Sequence, residues 1–164
     1  VILPGRGPGL KPGGLRFGRC ACYNAGCLHH RSPNPMQGLH LTADLSDCQY
    51  EAQRLTDATE LLGFCVQAVQ AVGLQAVNQL AHSFPAHADG PGGVTATVLL
   101  AESHLCVHTW PEEAAVTLDV YVCNFGGDTS AKAHALMDVL VAHFAPRHAD
   151  RQDLHRGRHK TLSN

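Results

Sequence analysis

Apolar and polar residues alternate strictly from Leu39 to Leu45. Leu39, Leu41, Ala43 and Leu45 fall on one side, and His40, Thr42 and Asp44 on the other. A period of two is that of a strand with one buried face. The period then changes. Leu61, Leu62, Cys65, Val66, Ala68, Val69 and Val72 recur at helical spacing, behind Asp57 and Glu60, which stand as an Asx variant of a capping box. Gly73 is the predicted stop of this helix.

A second strand is predicted from Leu74 to about Phe84, followed by a Gly/Pro/His loop over Pro85–Gly93. Three strand patterns come next: Val94–Ala101, His104–Thr109 and Ala115–Cys123, the last two separated by the turn Pro111-Glu112-Glu113. Asp128 or Thr129 can cap a final helix through Phe144, with Ala133, Leu136, Met137, Leu140 and Val141 on its apolar face and Pro146 ending it. The polar tail is expected to add one short edge strand. The order β-α-β-β-β-β-α predicts an α+β domain: a two-layer sandwich, mainly antiparallel, with helices on one face.

Residues 1–35 carry no such pattern. Twelve of the 35 are Gly or Pro, and the segment is expected to be a disordered extension before a domain spanning 36–164, which starts near Met36. It holds five basic residues (Arg6, Lys11, Arg16, Arg19, Arg31) and no acidic ones, which leaves seven basic against fourteen acidic in the rest. A domain with that excess of acid lacks the clustered Lys and Arg that nucleic acid requires. No apolar run nears the roughly 18 residues of a membrane span. Seven cysteines, several inside helix or strand patterns, are not a disulfide framework. Reduced thiols in a cytoplasmic protein are expected. Cys20, Cys22, Cys27 and His30 do not have a recognised zinc spacing, and the twelve histidines are spread along the chain, so no metal site is expected.

The candidate chemistry is concentrated in Ala101-Glu102-Ser103-His104 and, just after it, His108-Thr109-Trp110-Pro111-Glu112, with Thr95 eight residues before the serine and Cys123 twenty after it. From about Met36 to Phe144 this arrangement resembles the short prokaryotic S-adenosylmethionine decarboxylases. The resemblance implies that their pyruvoyl cofactor is made here by self-cleavage between Glu102 and Ser103. A serine hydroxyl in a strained turn attacks the preceding carbonyl, converting the peptide bond to an ester. Thr95 is the candidate for stabilising the oxyanion. His108 is the candidate base for the serine α-proton, since imidazole suits proton transfer near neutral pH. Elimination leaves dehydroalanine, which hydrolyses to pyruvoyl.

In such an enzyme the substrate amine forms a Schiff base with the ketone, carbon dioxide leaves, and the product carbon is reprotonated. The resemblance gives that last step to Cys123. It also implies that Glu112 binds the ribose hydroxyls of S-adenosylmethionine and Phe84 stacks on adenine. The product would be the aminopropyl donor for spermidine and other polyamines. A homodimer with its site at the subunit boundary is implied too. Cys123-Asn124-Phe125 stands where the family often has Cys-Gly-Asp, so ornithine or arginine remain alternative substrates, and a silent regulatory homologue is the rival of a different class. A Ser103/His108/Asp119 hydrolase triad lacks the strand–turn–helix elbow.

Strand parity puts His104, Cys106 and His108 on one face, and Thr117, Asp119, Tyr121 and Cys123 on one face of another strand. His108 and Cys123 could therefore meet if these strands pair across one face. Cys106 itself reads as a small buried hydrophobe.

Overall fold

The alternation at Leu39–Leu45 lies in strand β1 (Gly38–Ser46), whose four apolar residues are all buried. The computed structural model describes residues 37–49, 53–88, 90–124 and 127–157, all within one unit, Pro33–Asn164. The expected disorder of residues 1–35 lies outside the described residues. After β1 come α1 (Gln53–Thr56), α2 (Ala58–Ala71), β2 (Ala76–Ser83), β3 (Val94–Leu100), β4 (His104–Trp110), a 3-10 turn (Pro111–Glu113), β5 (Ala115–Cys123), α3 (Ser130–Phe144) and β6 (His148–Arg156).

The strands form one sheet in the order β2-β3-β4-β5-β1-β6, and every pairing is antiparallel. Both long helices cover the same face. α2 packs on β2 and β3, and α3 on β5 and β1. Leu61, Cys65, Ala68 and Val69 of α2, with Leu136, Leu140 and Phe144 of α3, meet Val98, Leu105, Val107, Val116 and Val120 from the sheet. In this core the Cys65 thiol is pushed up to about 12 by burial, with the nearby Cys106 adding to the shift. Cys65 is thus packing material rather than a nucleophile.

The helix ends follow the expected chemistry. Asp57 Oδ1 accepts hydrogen bonds from the Thr59 and Glu60 amides at 2.8 and 3.0 Å. Gly73, at φ +72°, takes the left-handed conformation that closes α2. At α3 the capping bond comes from Asp128, whose Oδ1 accepts from the Ser130 amide at 2.9 Å. The Ser130 hydrogen bonds hold the Asp128 carboxyl below its usual value.

Three details depart from the expectations. β2 begins at Ala76, because Leu74 belongs to the turn after α2, where its amide bonds Val69 O. The one-turn α1 has no period of its own to betray it. It is anchored by the fully buried Leu55, whose carbonyl accepts from Thr109 Oγ1 at 2.6 Å. The tail strand β6 is nine residues long rather than short, and every residue in it is exposed. Main-chain pairing with β1 holds it, which needs no apolar alternation.

Candidate active site

With helices on one face, the polar half of each alternation is left on the other. Thr95 and Thr97 of β3, His104, Cys106 and His108 of β4, Thr117, Asp119, Tyr121 and Cys123 of β5, and His40 and Thr42 of β1 are all half-buried on this open face. Antiparallel register sorts them into rows. Thr95 pairs with His108 and His108 with Thr117, while Cys106 pairs with Asp119 and His104 with Tyr121.

Ser103 stands at one end of this face. Its carbonyl accepts from the Leu100 amide at 2.9 Å, so that Ala101 and Glu102, both exposed, form the tip of the β3–β4 hairpin. Ser103 Oγ accepts the backbone N–H of Cys123 at 3.0 Å. The serine hydroxyl is thereby held against the Cys123 residue across the sheet, with the Glu102 carbonyl in the turn just before it. This tight turn breaks the strand alternation at Ser103.

The second group stands at the other end. Thr95 Oγ1 bonds His108 Nδ1 at 2.8 Å, and His108 Nε2 lies 3.4 Å from Cys106 Sγ, itself 3.2 Å from Thr97 Oγ1. Both imidazole nitrogens therefore have fixed neighbours. Thr95, His108, Phe84 and Glu112 line one cavity of about 380 Å³, completed by His87, Trp110, Gly92 and Gly93. That volume is in the range of small-molecule sites, roughly 300–1,000 Å³. Gly93 lets the β2–β3 loop come this close: a Cβ there would stand 2.0 Å from Thr109 O. Glu112 is placed by the 3-10 turn, closed by the Ala114 amide on Pro111 O with Ala114 at φ +47°. A more open hollow of about 640 Å³, beside Asp44, Ala115 and Arg147, contains none of the expected residues.

Residues 39–157 match the protein family described as S-adenosylmethionine decarboxylase. The chain is 39% identical over 121 residues to the S-adenosylmethionine decarboxylase proenzyme of Aquifex aeolicus (strain VF5), covering 73% of this chain and 81% of that protein. It belongs to the S-adenosylmethionine decarboxylase family. The proenzyme of the same name from Pyrobaculum neutrophilum is 35% identical over 111 residues, covering 67% of this chain and 81% of that protein. The crystal structure of the adenosylmethionine decarboxylase from Aquifex aeolicus VF5 superposes with a TM-score of 0.66 at 32% identity, over 80% of this chain and 99% of that one. The expected α+β sandwich is thus the architecture of a solved adenosylmethionine decarboxylase.

Two expectations about this decarboxylase fold need correction. His108 and Cys123 share the open face but do not meet. His108 pairs with Thr117, six residues before Cys123 on β5, a separation of about 20 Å at strand rise. Ser103 is likewise five residues, or about 17 Å, from His108. Second, Cys106 is not a core thiol. It lies half-buried on the open face, bonded to Thr97 and close to His108. The sequence reading also gave no role to His87 and Trp110, which line the cavity, nor to His40, which with His104 and Asp119 makes a hydrogen-bonded cluster.

Proposed function

We propose that this chain is a pyruvoyl-dependent S-adenosylmethionine decarboxylase that cleaves itself between Glu102 and Ser103, releasing carbon dioxide from its substrate to give an aminopropyl donor for polyamine synthesis. The observation that carries the reading is the hydrogen bond from the Cys123 amide to Ser103 Oγ, in a hairpin turn that exposes Glu102. It supports the reading by joining the candidate nucleophile, in the turn that follows Glu102, to the backbone of the residue that carries the candidate acid.

The residues present suit a pyruvoyl group at Ser103, at the open edge of a turn within reach of Cys123. Such a group supplies an electrophilic carbonyl that accepts the electrons released as carbon dioxide leaves. The side chain of Cys123 returns a proton to the product. His108, oriented by Thr95, takes the α-proton of Ser103 during processing. Thr95, the candidate for stabilising the oxyanion, also holds this base through its hydrogen bond to Nδ1. In the 380 Å³ cavity, Glu112 accepts hydrogen bonds from ribose hydroxyls and Phe84 offers a stacking surface.

The two halves of this machinery lie at opposite ends of one face. A second copy packed face to face about a two-fold axis would bring Ser103 and Cys123 of each chain to His108, Glu112 and Phe84 of the other. Such an isologous contact is self-complementary. The working enzyme in this reading is therefore a homodimer of cleaved chains with two composite sites. The four described free cysteines are in keeping with a cytoplasmic protein.

The test is the denatured mass of the purified protein, followed by turnover. Two fragments meeting at Glu102/Ser103, the second with a ketone-bearing terminus, and carbon dioxide release from S-adenosylmethionine are expected. A persistently intact chain would overturn processing and favour a silent regulatory homologue. Release from arginine or ornithine alone would overturn the substrate.

A further inference from the structure

We infer that His40, His104 and Asp119 form a binding site for a borderline divalent metal ion of the Zn²⁺ and Co²⁺ class, distinct from the proposed processing residues. His40 comes from β1, Asp119 from β5 and His104 from β4, three neighbouring strands. Asp119 Oδ1 lies 2.8 Å from His40 Nε2 and 3.1 Å from His104 Nε2, and the three donor atoms fall within 4.8 Å of one another. Ligands about 2.1 Å from a common ion stand about 3.0 Å apart in octahedral and about 3.4 Å apart in tetrahedral geometry. The two distances to Asp119 lie within a few tenths of an ångström of these values, and the two imidazole nitrogens, within 4.8 Å of each other, would close on the ion as it binds.

The donor set points to the ion. Two imidazoles and one carboxylate suit zinc, cobalt, nickel or ferrous iron, whereas magnesium and calcium take oxygen ligands. All three residues sit inside paired strands, which fixes their backbones. The Tyr121 ring packs against both imidazoles, with centroids at 5.8 and 5.7 Å, and limits their rotation. His104 and Asp119 are 40% and 34% exposed, so the remaining coordination positions face the open side of the sheet. Water, or a group from a second copy, would complete the shell there.

One contact works against the ion and gives the proposal a distinctive test. Arg156 Nη1 lies 3.0 Å from His40 Nδ1. Arginine can only donate, so Nδ1 accepts and the proton sits on Nε2, directed at Asp119. Metal binding replaces that proton and moves it to Nδ1, which then faces a second donor. Arg156 must swing out to solvent, which is open to it on the exposed edge strand. A glutamine at this position can accept from Nδ1–H and act as the outer partner that metal-bound histidines usually have.

The experiment is titration of the full-length chain, freed of metal by chelation, with Co²⁺. Expected are one ion per chain, visible d–d absorption, a raised Tm, displacement by Zn²⁺ and no displacement by excess Mg²⁺. His104→Gln and Asp119→Asn should weaken binding by more than about tenfold, and Arg156→Gln should tighten it by about tenfold. Because Arg156→Gln lies on the exposed edge strand, it keeps the idea testable if the ligand variants fail to fold. Ser103→Ala, which cannot form pyruvoyl, should bind the ion normally, so failure of self-cleavage and failure of this site are separate results. Absence of stoichiometric binding would overturn the site. So would a Co²⁺ spectrum unchanged in the ligand variants, which would place the ion on other groups, or no tightening by Arg156→Gln.

Discussion

The backbone amide of Cys123 donates to Ser103 Oγ at 3.0 Å, joining the β3–β4 hairpin tip to the end of β5. A main-chain donor makes this contact, so the side chain of Cys123 is left for another task. Removal of the thiol should therefore separate two reactions. Cys123→Ala is expected to cleave into two fragments as the parent does, while decarboxylation falls by about 10²- to 10⁴-fold, the usual contribution of a positioned proton donor. Mass and carbon dioxide release on the same preparation test this. An uncleaved Cys123→Ala chain would mean that the thiol acts in processing as well.

The division of the open face predicts how mixed dimers behave. Ser103→Ala alone cannot make pyruvoyl, and His108→Ala alone lacks its base. Co-expressed, the two variants in the proposed homodimer would form mixed dimers in which one composite site keeps Ser103 of one chain and His108 of the other. That dimer should cleave one chain and recover up to half of the parental activity per mixed dimer. If each chain carried a complete site of its own, the mixture would stay inactive.

The fold was legible wherever a single period spoke. Alternation in β1, β3, β4 and β5 marked the buried residues, and the spacing in α2 and α3 marked their inner faces. The mostly polar β6 was legible only as a short edge strand, because main-chain pairing leaves no side-chain signature. Sheet order was not legible either. β1 lies between β5 and β6, far from both in sequence, and no local pattern encodes that choice. The candidate site suffered from the same gap. Parity put His108 and Cys123 on one face, but only the register places them at its two ends. Cys106 was misread for a different reason. Leu105 and Val107 on either side of it were the apolar pair, so alternation had already assigned Cys106 to the polar face.

Phe84 and Glu112 line the cavity with Thr95 and His108, and Ser103 is not among its lining residues. Substitutions there are expected to spare processing and weaken substrate binding. Glu112→Gln should raise KM by about tenfold to a hundredfold, the worth of a hydrogen bond to a charged group of about 1.5–3 kcal/mol. Phe84→Ala should raise it by several-fold through loss of about 0.5–1.5 kcal/mol of stacking. Steady-state kinetics on fully cleaved protein measures both. An unchanged KM in Glu112→Gln would remove the ribose contact from the reading.

A last expectation concerns pH and a residue far from the site. His143, near the end of α3, is half-buried, stacked on Phe64 at 3.6 Å and edge-on to Phe144 at 5.0 Å. Burial holds its pKa below the ordinary 6.5, and the neighbouring Arg54 guanidinium lowers it further. Protonation therefore costs the folded state more than the unfolded one. The stability this ring contributes is complete above pH 6.5 and is lost as pH falls from there through the lower folded-state value. Tm should accordingly decline on acidification below neutrality. His143→Phe keeps an aromatic ring for the Phe64 stack and has nothing to titrate, so its Tm should fall less over the same interval. Thermal melts of both proteins across that interval decide the point. Equal declines would assign the acid sensitivity to other groups and leave the burial of His143 without consequence for stability.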